Sequence, residues 1–220
     1  MPTTDRRPIS TRSARWAQHS AHWLAQKNIT PNTISVFSMV FALLSALAFA
    51  FAFYFSSALM TRLFLVLAAL GIQGRLLCNL FDGMVAIEGK QHSPIGAIYN
   101  DLPDRISDSL LFLGVGYGLL LFSTAATLAW AVSVVALLTA YVRLLGGSCG
   151  LPQRFIGPFA KQQRMAILTL AALIAAFLPI EKAQLVLFIT LWILLFGSLF
   201  TVFLRLRLVA RDLNNTKEDT

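Results

Sequence analysis

Charge is scarce in this chain: Asp, Glu, Lys and Arg make up 13% of its 220 residues, against 57% hydrophobic residues. That balance excludes an ordinary soluble domain of this size and implies an integral membrane protein. Cysteine is nearly absent. Cys78 and Cys149 cannot build a disulfide framework or a thiolate metal site, and both read as small packing residues. The three histidines, His19, His22 and His92, stand at no metal-binding spacing and read as solvated. No repeat, linker or low-complexity stretch marks a second domain. A cleavable signal peptide is not expected either, since a basic, polar stretch of 28 residues precedes the first apolar run.

What is abundant is apolar sequence in lengths that suit a bilayer, for which about 20 residues per helix are needed. Such stretches fall at 33–55, 63–85, 107–123, 128–145, 165–178 and 185–204. The expected fold is therefore an all-α membrane protein, a bundle of six transmembrane helices. Before it, residues 1–9 read as a disordered tip. Over 10–27, Ala14, Ala17, Ala21, Leu24 and Ala25 recur at helical intervals with Trp16 and Trp23 nearby. That pattern predicts an amphipathic helix lying in the membrane interface. The chain thus divides into an N-terminal segment at 1–28, a membrane domain at 29–208 and a tail at 209–220. Thr30 is placed to cap the first span and Pro31 to open it.

The net charge of +8 does not form a nucleic-acid footprint. Arg6, Arg7, Arg12, Arg15 and Lys27 precede the first span; Arg143, Arg154, Lys161 and Arg164 lie around the fourth connection; Arg205, Arg207, Arg211 and Lys217 follow the sixth. Only Arg62 and Lys182 fall on the other side. This asymmetry places both termini in the cytoplasm, and a bacterial inner membrane is the expected location. Most of these cations are accounted for as topology signals that touch anionic lipid.

Against this background the polar residues near the ends of the second and third spans are costly and functional by default. Asn79, Asp82 and Ala86 share one helical face, and Asn100, Asp104 and Asp108 share another. The short connection at 88–94 makes the two spans antiparallel neighbours, with their polar faces opposed. Pro103 bends the third helix unless it lies in the first turn, and a helix starting near Leu102 would leave Asn100 and Asp101 on a loop. Gly114 and Gly118 permit close helix contact, within the bundle or at a dimer seam. Residues 146–158 read as a glycine-rich loop with no phosphate-cradling motif.

The spacing from Asn79 to Asp104 resembles the signature of the CDP-alcohol phosphotransferase family, D-x-x-D-G-x-x-A-R, eight residues, then G-x-x-x-D-x-x-x-D. Asp82, Gly83, Ala86, Gly96 and Asp104 match it, while Asn79, Ile87 and Asn100 stand where the family has Asp, Arg and Asp. Residues 29–32 resemble the family's first-span start, and Tyr141, Val142 and Arg143 resemble the end of its fourth span. A bacterial variant branch is similar in its Asn, Asp, Asn, Asp set followed by an acidic residue, here Asp101.

The resemblance implies a membrane transferase that moves a phosphatidyl or substituted phosphoryl group from a CDP-linked donor to an alcohol and releases CMP in phospholipid biosynthesis. CDP-diacylglycerol is the favoured donor. It implies Mg2+ or Mn2+ held by Asn79, Asp82 and Asn100, with Asp104 as general base, and a homodimer. Gly83, Ala86 and Gly96 would let the nucleotide approach the backbone, with Asn32 and Ser35 near its end. Two amides in place of carboxylates weaken a magnesium site. Asp101 is expected to compensate as a further metal ligand, with Asp108 second. Arg105 is either near the donor or a charge partner of Asp101 or Asp108. Arg75 lies about 18 Å along the helix from Ile87 at 1.5 Å per residue and is not expected to replace the missing arginine. Arg143, Lys161 and Arg164 are expected to bind the acceptor, and such a cluster suits a phosphorylated polyol. Two rivals are weighed: a catalytically weak or inactive CDP-lipid-binding relative working through a partner enzyme, and a small transporter. The second predicts polar residues at many depths, which the remaining spans lack.

Overall fold

The computed structural model describes residues 14–88 and 95–218. Among them are seven helices and no strand: α1 (Arg15–Gln26), α2 (Pro31–Phe51), α3 (Ala58–Glu88), α4 (Gly96–Gly118), α5 (Ala125–Ser148), α6 (Lys161–Ala176) and α7 (Ile180–Glu218). The start of α2 follows its sequence: the Thr30 side chain accepts from the Thr33 amide at 3.2 Å, and Pro31 needs no amide partner in the first turn.

Six bundle helices follow α1, and four of them are long and apolar enough to cross a membrane: Pro31–Phe51, Ala58–Ala86, Ala125–Ser148 and Ile180–Asn215. The other two pack in the same bundle. Asp101, Asp104, Arg105 and Asp108 interrupt the apolar run of α4, and α6 has 16 residues. Helix α5 continues through Gly146 and Gly147, which were expected in a loop; Gly146 lies against Val209 of α7, where there is little room for a side chain.

The helices close into a ring in which each packs on two neighbours, in the order α2, α3, α6, α7, α5, α4 and back to α2. Its interior is filled by Leu65, Ile72, Leu111, Phe112, Met165, Leu168, Leu187, Leu191 and Leu194, all fully or almost fully buried. Close approach of α4 to α2 depends on Gly114 and Gly118. A Cβ on Gly114 would lie 2.4 Å from the Ala46 carbonyl oxygen, and one on Gly118 2.2 Å from that of Phe49. These glycines are therefore used inside the bundle, not at a seam between copies. Helix α1 lies on the end of α3: Ala17 and Ala21 are buried with Leu80, Met84 and Val85, and Trp16 meets Phe81 edge-on at 6.2 Å. Its opposite side carries exposed Arg15, Gln18, His19 and His22.

One expectation about the site is corrected by this arrangement. Helices α3 and α4 approach each other far less closely than each approaches α2, and α6 packs on α3 from the other side. The polar faces meet across a gap through long side chains.

Candidate active site

Asp82 lies one to two turns from the end of α3, its residue 5% exposed. The Ser35 hydroxyl of α2 donates to Asp82 Oδ2 at 2.8 Å and also approaches the Pro31 carbonyl at 3.2 Å. Asp104 and Lys161 act on Asp82 electrostatically, but no cation is ion-paired with it among the described residues. A buried carboxylate left in that condition is costly and asks for a positive partner.

One turn before it, Asn79 Nδ2 is buried without a hydrogen-bond partner. A half-turn of that amide about its Cβ–Cγ bond would present an oxygen in the same place, next to Asp82 on the same helical face. The two residues together fit one hard divalent cation, which takes oxygen ligands and completes its shell with water or phosphate. No three His, Cys, Asp or Glu side chains converge as a metal cluster among the described residues. Any ion here therefore rests on mixed carboxylate and amide oxygens. Asn100 is exposed, and Gly83, Ala86, Gly96 and Asn32 are half-buried.

On α4, Asp104 and Asp108 lie one turn apart and face the gap, where three cations meet them. Arg75 of α3 donates to Asp108 Oδ1 at 2.7 Å, to Asp104 Oδ1 at 3.4 Å and to the Asp104 carbonyl at 3.1 Å. Arg164 of α6 donates to Asp108 Oδ2 at 2.8 Å, to the Phe159 carbonyl at 2.9 Å and to Thr139 at 3.2 Å. Lys161, at the start of α6, binds Asp104 Oδ1. Both cations on Asp104 take the same oxygen, so Oδ2 keeps its lone pairs for another donor. Arg75, Asp108 and Arg164 are 0%, 2% and 1% exposed and form a buried ionic floor between the site and the apolar core.

Several expected roles change. Arg164 is sealed beneath the site, so it is out of reach of an acceptor. Asp108 is ion-paired with two guanidinium groups, one on each oxygen. Asp101 Oδ1 accepts from Arg105 at 2.9 Å and from Arg143 of α5 at 2.7 Å. It points toward α5, and because α4 is helical from Gly96 through Pro103, Asp101 lies about 100° around the helix from Asn100. The expected compensating metal ligand is thus an ion-pair partner. Arg75, set aside by its distance along α3, reaches the site across the gap. Cys149 is exposed and Cys78 half-buried, so only the second fits a packing role. The Ile87 side chain and the connection 89–94, with His92, lie outside what the structure describes.

Arg143 also stacks over Phe155 at 4.7 Å and lines a cleft between α5 and α7. Arg154 and Arg205 line it too, with Asp212 paired to Arg154 at 2.8 Å. Sequence reading missed Arg205 as a lining residue; its guanidinium donates to the Ile156 carbonyl at 2.7 Å and to that of Thr139.

The chain is 31% identical over 157 residues to the inner membrane protein YnbA of Escherichia coli K12, covering 71% of this chain and 73% of that protein. The chain belongs to the YnbA family. It is an integral membrane protein, as the four apolar helices require. No family model matches it. Among solved structures it is similar to the phosphatidylinositol phosphate synthase PgsA1 of Mycobacterium tuberculosis in complex with manganese and citrate. That match has a TM-score of 0.72 and 21% identity, and covers 88% of each chain. The same synthase with CDP-DAG bound gives a TM-score of 0.72 at 22% identity, over 89% of this chain and 94% of that one. The YnbA-family chain therefore shares the fold of this phosphatidylinositol phosphate synthase.

Proposed function

We propose that this protein is a CDP-alcohol phosphotransferase that moves a phosphatidyl group from CDP-diacylglycerol, or a substituted phosphoryl group from another CDP-alcohol, to an alcohol acceptor. The observation that carries the reading is the pair Asp82 and Asp104: a buried carboxylate with no ion-pair partner among the described residues, facing a second whose Oδ2 has lone pairs to spare. The acceptor oxygen attacks the phosphorus bearing the alcohol or lipid, its proton passes to Asp104 Oδ2, and the phosphoanhydride bond breaks with its electrons leaving on CMP. Lys161 and Arg75 hold the other oxygen of Asp104 and so fix the direction in which Oδ2 faces.

A divalent cation, Mg2+ or Mn2+, held by Asp82 with the Asn79 and Asn100 amides, would neutralise the diphosphate oxygens. Manganese in the synthase of the same fold supports this choice. Gly83, Ala86 and Gly96 give the cytidine access to the backbone, and Asn32 lies at the same end of α2 as Ser35. The donor's acyl chains would stay beside the apolar outer faces of the bundle. Arg143, with Arg154 and Arg205 in the same cleft, suits an acceptor that carries its own phosphate. The Asn79 and Asn100 set supports grouping the chain with the bacterial variant branch of the family.

With Lys and Arg concentrated at one end, both termini and the site belong on the cytoplasmic side of an inner membrane. Helix α1 lies in the interface there, and a homodimer is the proposed assembly. A second reading, an inactive CDP-lipid-binding relative, is favoured by the cations already seated on Asp104. The deciding experiment uses protein purified in detergent with Mn2+ or Mg2+, CDP-diacylglycerol labelled in the cytidine, and a panel of polyols and phosphorylated polyols. CMP release that requires both metal and an acceptor supports the transferase; no release with any acceptor favours the inactive relative.

A further inference from the structure

Displacement at a diphosphate needs positive charge around the phosphoryl oxygens, and this chain brings some of its own. Four acidic residues surround the site, and three are already neutralised. Asp101 is bound by Arg105 and Arg143, Asp104 by Lys161 and Arg75, and Asp108 by Arg75 and Arg164. Asp82, with the Asn79 amide beside it, is the remaining donor set, and it suffices for one divalent ion completed by phosphate and water. A second ion at Asp104 would have to share that carboxylate with the cations of Lys161 and Arg75.

Lys161 differs from the cations beneath it. Arg75 and Arg164 have side chains 0% and 1% exposed and are held by Asp108, whereas the Lys161 side chain is 17% exposed, binds Asp104, and also acts on Asp82. Its charge therefore bears on both carboxylates that flank the site. An ammonium carries three N–H donors, so the hydrogen bond to Asp104 leaves two for phosphate oxygens.

We propose that the site takes one divalent ion per chain, at Asp82, and that the Lys161 ammonium is the second positive charge on the donor's diphosphate. The inference rests on the CDP-linked donor proposed above. It makes Lys161 a donor-binding residue, where sequence reading had assigned it to the acceptor.

The test counts Mn2+ bound by the full-length protein in detergent, from the loss of the free-ion EPR signal, with CDP added and a nucleotide-only titration subtracted. One ion per chain is expected, and Asp82→Asn should remove it. Two ions per chain would overturn the inference while leaving the transferase reading intact. No ion, with no CDP binding, would overturn both. For Lys161, CDP affinity at saturating Mn2+ is measured on folded protein, selected by its size-exclusion profile. Lys161→Met should weaken it about tenfold or more, the scale of losing a charge-assisted hydrogen bond, and Lys161→Arg should restore most of it. An unchanged CDP affinity in Lys161→Met would reduce the Lys161–Asp104 pair to a structural contact and overturn the assignment.

Discussion

Ser35 donates its hydroxyl proton to Asp82 Oδ2 at 2.8 Å, tying the first turns of α2 to the last turns of α3 across 47 residues of sequence. The bond is buried, and it aims the carboxylate on which the proposed metal site depends. Ser35→Ala leaves one oxygen of a buried acid without its donor, at an expected cost of about 1–3 kcal/mol. Thermal unfolding in detergent should show the loss. Because an ion on Asp82 stabilises the folded form alone, saturating Mn2+ should raise the melting temperature of both proteins by linkage. A Ser35→Ala protein as stable as the parent would mean that the bond contributes nothing measurable.

The ionic floor predicts a different pattern. Asp108 alone holds Arg75 and Arg164 together inside the bundle, so Asp108→Asn strands two guanidinium groups with weaker partners. Breaking a buried pair from one side costs about 3–5 kcal/mol. Removing Arg75 as well takes away one of the stranded charges. The double variant Arg75→Met, Asp108→Asn should therefore be less destabilised than the sum of its two single variants, in a double-mutant cycle read by urea or thermal unfolding. Additive losses would show that the floor is not coupled.

How much of this was legible in the sequence follows from the reach of each signal. Asn79, Asp82, Asn100 and Asp104 announce themselves by helical spacing and by the expense of polar groups beside long apolar runs, and these are local properties. The partners of Asp101 are not local: Arg143 lies 42 residues away on α5, and only the packing of α4 on α5 brings it there. Arg75 was dismissed on distance along its own helix, a measure that ignores an arginine's reach across a gap. That gap was itself unforeseen. A short connection suggests neighbouring helices, but here α2 lies against both α3 and α4 and keeps them apart. The presence of a span was readable for α2, α3, α5 and α7, where hydropathy decides, although α3 and α7 run well past their apolar stretches, and it was least readable for α4, whose first turns serve the site.

Gly118 gives a prediction about the bundle that is independent of chemistry. Its missing side chain lets α4 meet the Phe49 carbonyl, and a Cβ placed 2.2 Å from that oxygen forces backbone apart from backbone. Gly118→Val should cost about 1–3 kcal/mol or more through overpacking. The expected sign is a lower melting temperature with the oligomeric state unchanged in cross-linking. If the variant altered the oligomer and left stability alone, Gly118 would belong to a contact between copies.

Asp104 carries the sharpest test of the proposed chemistry. Its two oxygens are divided: Oδ1 takes Lys161 and Arg75, and Oδ2 is left for a proton from the acceptor. Asp104→Asn keeps the shape and the amide oxygen for Lys161 but abolishes the basic lone pair. CMP release should fall by about two to four orders of magnitude, the usual contribution of a general base, while CDP binding changes far less. Asp104→Glu keeps the basicity and moves it by one methylene, so it should retain more turnover than Asp104→Asn and lose most of the parent rate to misplacement. A turnover in Asp104→Asn near that of the parent would remove Asp104 from the role of base and turn attention to water or the substrate's own phosphate as the proton acceptor.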